Sequence, residues 1–161
     1  GALIGHIVSV HHTYLRRELP RLGELMVKVI AAHGTAHPEV HDMAATLEEL
    51  SADLLPHLLK EERVLFPLAI ELLGAVEPTG LHGGSVTNPI RVMNSEHDRV
   101  GELLVTLRRQ TGGYEPPEDA CPTWRALYAG CAEMEADVHQ HVHLENNLLF
   151  PKIIGLEMSL G

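Results

Sequence analysis

The chain has 161 residues and a mass of 17.7 kDa, and 45% of its residues are apolar, enough to bury one substantial core. With 12 Lys and Arg against 22 Asp and Glu, its net charge of −10 excludes the basic footprint that nucleic acid or an anionic membrane surface would need. No apolar run reaches the roughly 18 residues of a spanning helix, so neither nucleic acid nor membrane is an expected partner.

Apolar residues recur at spacings of three and four, as in Leu22, Leu25, Met26, Val29 and Ile30, with no strand-like alternation, and the fold class is read as all-α. The first helix, α1, is predicted over 3–33, stopped by Gly34. The second, α2, is predicted from Pro38, a first-turn proline, to Leu73. A linker rich in glycine follows over about 74–88 and includes Pro78 and His82. The third, α3, is predicted over 89–110, and the fourth, α4, over 122–154. Four such helices in sequence pack most simply as an up-down-up-down four-helix bundle, one domain over 1–161. Pro20, Pro56, Pro67 and Pro151 fall within or near the ends of helices, where kinks or a disturbed last turn are expected. The two cysteines, Cys121 and Cys131, would lie about 15 Å apart on one helix, too far to bridge. They read as reduced thiols and the chain as cytoplasmic, with Cys131 in the core.

The composition holds twelve histidines beside six aromatic residues, and the repeat between α2 and α4 shows which of them matter. The pattern Asp53-x3-His57-x3-Glu61-x3-Leu65-Phe66-Pro67 returns as Asp137-x3-His141-x3-Glu145-x3-Leu149-Phe150-Pro151, and it contains both phenylalanines of the chain. Residues four apart share one helix face, and this face adjoins leucines. A single such pair on a solvated helix would be an ordinary ion pair. Two copies in register on an apolar face put imidazole and carboxylate where burial is costly unless a metal ion compensates.

Counting turns completes the set. His57 and His141 each lie about 19 residues into their helices, and His12 in α1 and His97 in α3 fall within a few residues of the same height. His33, about 31 Å from His12 along a continuous helix, falls outside the set. Four histidines and two glutamates suit two metal ions sharing both carboxylates, each ion keeping two imidazoles, with an oxo or hydroxo bridge and an open position. Imidazole and carboxylate also suit zinc or manganese. Asp53 and Asp137, one turn before their histidines, are placed to accept the free ring N–H of each. Glu96 points about 100° away from His97 and is expected at a channel or the surface. His11, His139 and His143 neighbour ligands in sequence but lie on other faces, and are expected to be solvated.

These residues resemble the hemerythrin-like (HHE cation-binding) domain and, within it, the iron-sulfur cluster repair di-iron proteins (RIC, or ScdA/YtfE-like). The likeness runs from about Ile4 to Ile153 through His11-His12…Arg16-Arg17-Glu18-Leu19-Pro20, His57-Leu58-Leu59-Lys60-Glu61-Glu62, Glu96-His97-Asp98 and His141…Leu144-Glu145-Asn146-Asn147. The resemblance implies a hemerythrin-like bundle with a non-haem di-iron centre on His12, His57, Glu61, His97, His141 and Glu145. It implies a stress-response role in restoring iron-sulfur clusters damaged by nitric oxide or oxidation, through iron donation, nitric oxide binding or a nitric oxide reductase-like activity. Damaged or apo iron-sulfur proteins would be the partners, and nitric oxide or dioxygen the small ligands. Asp53 and Glu96 match acidic residues that the family carries beside its site. The family's N-terminal segment with an adjacent cysteine pair has no counterpart in this sequence. An oxygen or nitric oxide sensing module is the alternative, and a ferroxidase or iron store a more distant one.

Overall fold

In the computed structural model, which describes residues 1–74 and 85–160, the chain forms four long helical rods. They are α1 over 2–33, α2 over 39–74, α3 over Thr87–Gln110 and α4 over 122–160. No strand occurs among the described residues. Helix α1 packs against α2 and α4, and α2 against α3, which is the arrangement of an antiparallel up-down-up-down bundle. Residues 75–84 of the expected linker, with Pro78 and His82, lie outside the described residues. No described helix is long and apolar enough to cross a membrane.

Three of the rods contain a short wide turn of π-helix, at Ile7–His12, Glu61–Leu65 and Glu145–Leu149. The last two have a local cause in the repeated Leu-Phe-Pro. Proline at 67 or 151 cannot donate to the carbonyl four residues back, and its ring would clash with that carbonyl in a regular helix. The preceding turn instead widens, so that the Phe66 and Phe150 amides reach Glu61 and Glu145, five residues back. At Pro20 and Pro56 the α-helix runs on without interruption.

The core falls into two apolar clusters. One fills the body of the bundle with Leu15, Leu22, Leu50, Leu54, Leu58, Val100, Trp124 and Val138 among others. The other fills the end where both phenylalanines lie, with Ile7, Leu65, Phe66, Met93, Leu149, Phe150 and Ile153. The level between them carries the histidines, because each rod switches there from one cluster to the other: Ile7 to Leu15, Leu58 to Leu65, Met93 to Val100, Val138 to Leu149. Cys131 belongs to the first cluster, and burial pushes its thiol up to about 12.

The opposite end of the bundle is tied by His37. Its Nε2 lies 2.8 Å from Asp119 in the α3–α4 loop and its Nδ1 2.9 Å from Glu39 at the start of α2. The rings of His33 and His37 stand 4.8 and 4.9 Å from Trp124. First Asp119 and then Glu39 raise the pKa of His37. A raised folded-state value means that this contribution to stability is complete below the ordinary imidazole pKa and is lost as pH rises through the folded one. We therefore expect Trp124 fluorescence to show a transition above the ordinary imidazole range, and expect that transition to be absent in His37→Gln.

Candidate metal centre

At the level between the two clusters, His12, His57, Glu61, His97, His141 and Glu145 converge, and each is at most 6% exposed. They form two half-sites. His12 and His141 face Glu61 and Glu145 on one side, His57 and His97 face the same two carboxylates on the other, and within each half-site one nitrogen or oxygen of every residue lies within 4.8 Å of the rest. The Nε2 atoms of His12 and His141 are 3.2 Å apart, and those of His57 and His97 are 3.1 Å apart. Glu61 reaches His57 at 3.1 Å through Oε1 and His12 at 3.2 Å through Oε2. Glu145 reaches His141 at 3.0 Å and His97 at 3.1 Å, again one oxygen to each side.

The His141–Glu145 contact and the two Nε2–Nε2 contacts have hydrogen-bond geometry, whereas those of Glu61 and of Glu145 Oε2 are short without it. Both oxygens of Glu61 and Oε2 of Glu145 are buried without a hydrogen-bond partner. Buried carboxylate oxygens left without a donor, a few ångströms from imidazole nitrogens, are a donor set that suits metal binding. The spacing agrees, since two nitrogens about 2.1 Å from one ion at a right angle would be about 3.0 Å apart. Without a cation the cluster holds protons instead. Burial opposes charge on His97 and His141, but Glu145 and Glu61 outweigh it and push the two imidazoles up to about 9 and about 10. Burial likewise opposes charge on Glu61, and the four surrounding histidines outweigh it, holding the carboxyl well below its ordinary range.

The wide turns place the carboxylates. Glu61 and Glu145 each open a π-turn directly after the last α-helical turn that carries His57 or His141. The phenylalanines that follow roof the site: Phe66 stacks on His12 at 5.7 Å, and Phe150 on His97 at 5.9 Å with an interplanar angle of 2°. The repeat therefore supplies ligand-type residues and, one turn on, an apolar cover for a histidine of another helix.

The supporting partners differ from the sequence expectation. Asp53 does not accept from His57: it is taken by Arg99, Nε to Oδ2 at 2.5 Å, and Arg99 also pairs with Glu49. Glu96 takes that role from across the bundle, accepting from His57 Nδ1 at 2.8 Å while pairing with Lys60. Its expected place at a channel is met only in part: it lines a cleft of about 190 Å³ with Asp53, Pro56, Lys60 and Arg99, yet its other face is turned to a histidine of the centre. The Asp137 carboxylate makes no direct hydrogen bond with His141 and pairs instead with His11, 2.8 Å from Nδ1. His11 is thus not solvated but 4% exposed, covered by α4, and its ring stacks parallel to His141. His139 and His143 are exposed as expected, and His33 lies at the far end beside Trp124.

Two partners were missed. Glu62 accepts from His12 Nδ1 at 2.7 Å and from Arg16 at 2.9 Å, and Asn146 faces His97 Nδ1 at 2.9 Å. Each directly follows a carboxylate of the repeat, in Glu61-Glu62 and Glu145-Asn146. That doublet was the available signal: the polar residue one step around the helix reaches the neighbouring rod.

The hemerythrin HHE cation binding domain matches residues 3–153 of the chain. Among curated proteins, the iron-sulfur cluster repair protein YtfE of Yersinia pseudotuberculosis serotype IB (strain PB1/+) is 40% identical over 152 residues, 94% of this chain. The YtfE protein of Yersinia pestis (strain Pestoides F) matches to the same extent. The chain spans 65% of the length of these relatives.

Proposed function

The chain belongs to the hemerythrin HHE cation-binding domain family, and on that footing we propose that it holds two iron ions and serves in the repair of iron-sulfur clusters. The observation that carries this reading is the sharing of Glu61 and Glu145 by two half-sites of two histidines each. Each ion would receive four protein donors, two imidazoles and one oxygen from each shared glutamate, which would close a tetrahedral structural site but leave positions open on a six-coordinate iron. The name of the YtfE relatives, iron-sulfur cluster repair protein, supplies the biological direction.

When bound, a pair of iron ions offers one-electron chemistry and open positions for a small diatomic ligand such as nitric oxide or dioxygen. The chain's own residues prepare that chemistry. Glu62, Glu96 and Asn146 face the Nδ1 atoms of His12, His57 and His97, which fixes the rings with Nε2 toward the centre. Phe66 and Phe150 exclude water from one side. On the side of α2 and α3, Asp53, Lys60 and Glu96 line the cleft beside His57, the polar path along which iron, as cargo, would leave for an apo-cluster protein. Within this reading the protein acts in the cytoplasm, on clusters damaged by nitric oxide or oxidation.

The test is transfer. Protein loaded anaerobically with two Fe(II) per chain is expected to restore activity to an apo iron-sulfur enzyme, and Glu145→Ala carried through the same loading is expected not to. Loaded wild-type protein that restores nothing while retaining both irons would contradict a donor role. Reversible dioxygen binding in its place would favour the oxygen-binding alternative.

A further inference from the structure

Three of the four histidines at the centre have a partner on the ring nitrogen that faces outward: Glu62 for His12, Glu96 for His57 and Asn146 for His97. The fourth has none. His141 turns Nε2 inward, 3.0 Å from Glu145 and 3.2 Å from His12, and its Nδ1 is buried without a hydrogen-bond partner. A ring that offers the Nε2 lone pair to a cation must carry its proton on Nδ1, and a buried N–H without an acceptor is costly.

One turn earlier on α4, Asp137 has the matching defect. Its Oδ1 accepts from His11 Nδ1 at 2.8 Å, but its Oδ2 is buried with no partner. The ring of His11 lies parallel to that of His141, with centroids 5.7 Å apart and an interplanar angle of 8°. His11 therefore touches the same carboxylate and the same ligand ring, its Nδ1 on Asp137 and its Nε2 buried without a partner, and it belongs to neither half-site.

We propose that Asp137 is a shared carboxylate, receiving His11 Nδ1–H on Oδ1 and, through one buried water, the proton of His141 Nδ1–H on Oδ2, so that the His11–Asp137 pair positions His141. This rests on the dinuclear reading above and extends it. Asp137 is a positioning residue here, acting on the centre through His141. His11 holds the carboxylate in the interior, where it would otherwise turn to solvent, and its ring limits rotation of His141. The two half-sites are then unequal, since one imidazole depends on a neighbouring helix's histidine for its acceptor.

The experiment pairs Zn(II) titration of the full chain with NMR of the histidine ring N–H protons, in metal-free and Zn(II)-loaded protein. Outer partners of ligating histidines change metal affinity by about 10- to 100-fold. Asp137→Ala is expected to weaken one of the two binding steps by that amount and to abolish the slowly exchanging ring N–H of His141. Asp137→Asn, which keeps an acceptor oxygen, is expected to recover most of both. His11→Phe keeps the stacked ring but frees the carboxylate to turn to solvent, and is expected to remove the His11 N–H signal and to speed the exchange of that of His141. Unchanged affinities in Asp137→Ala, an equal loss in both steps, or a His141 ring N–H that survives would overturn the assignment. Wild-type protein that takes up fewer than two Zn(II) would instead refute the dinuclear reading. The role of Asp137 would then be decided by the His141 ring N–H of the metal-free protein, whose survival in Asp137→Ala refutes it and whose loss supports it.

Discussion

Glu61→Ala is expected to cost the protein both metal ions, whereas His12→Ala or His57→Ala is expected to cost one. The difference follows from connectivity. Glu61 sends Oε1 toward His57 and Oε2 toward His12, so its removal takes an oxygen from each half-site, while each histidine belongs to one half-site only. Metal content per chain after anaerobic loading and desalting reads the difference directly. Stability provides a second reading. A cation present at about a thousand times its dissociation constant stabilises the folded state by about 4 kcal/mol. The wild-type unfolding temperature should rise on loading, and that of Glu61→Ala should not move. If Glu61→Ala kept one tightly bound ion, the carboxylate would belong to one half-site and the bridging arrangement would be wrong.

Phe150→Ala is expected to be the most damaging change outside the ligating residues. Phe150 is 2% exposed, packs among Leu65, Leu149 and Ile153, and lies flat on the ring of His97. Truncating a buried phenylalanine costs about 3–5 kcal/mol, because the cavity it leaves closes only in part. At about 2–4 °C per kcal/mol for a chain of this size, the unfolding temperature should fall by roughly 6–20 °C. The same change uncovers His97, so metal retained by the folded fraction should also exchange faster with a chelator. Val105→Ala, at a position 66% exposed on α3, is the control and should change stability by less than about 0.5 kcal/mol. A loss at Phe150 no larger than at Val105 would show that the roof over His97 contributes nothing to the fold.

The bundle and the convergence of six residues were legible in the sequence because helical period and rise convert spacing into position with little ambiguity. His12, His57, His97 and His141 could be brought to one height by counting from the turns, and the repeat identified the two carboxylates. The support around them was not legible by the same means. Asp53 lies at the right spacing for His57, but Arg99 of α3 reaches it first, and a rule confined to one helix cannot see a cation on the next. Glu96 was placed away from the centre because it diverges from His97 on α3, yet the direction that leaves His97 is the one that meets His57 on α2. His11 illustrates the same limit: α4 buries it with Asp137, although His12 beside it already faces the interior. The wide turns at Glu61 and Glu145 were half-written in Pro67 and Pro151, which mark where a regular helix cannot continue; their consequence, an amide bonded five residues back, depends on the rest of the bundle holding the rod together.

Anomalous diffraction at the iron edge, from crystals of anaerobically loaded protein, tests the arrangement most directly. Two iron peaks per chain, about 3.5 to 4 Å apart as in known two-metal sites, should appear. One should lie between His12 and His141, the other between His57 and His97, with Glu61 and Glu145 spanning both. A single peak, or two peaks that do not share the glutamates, would contradict it.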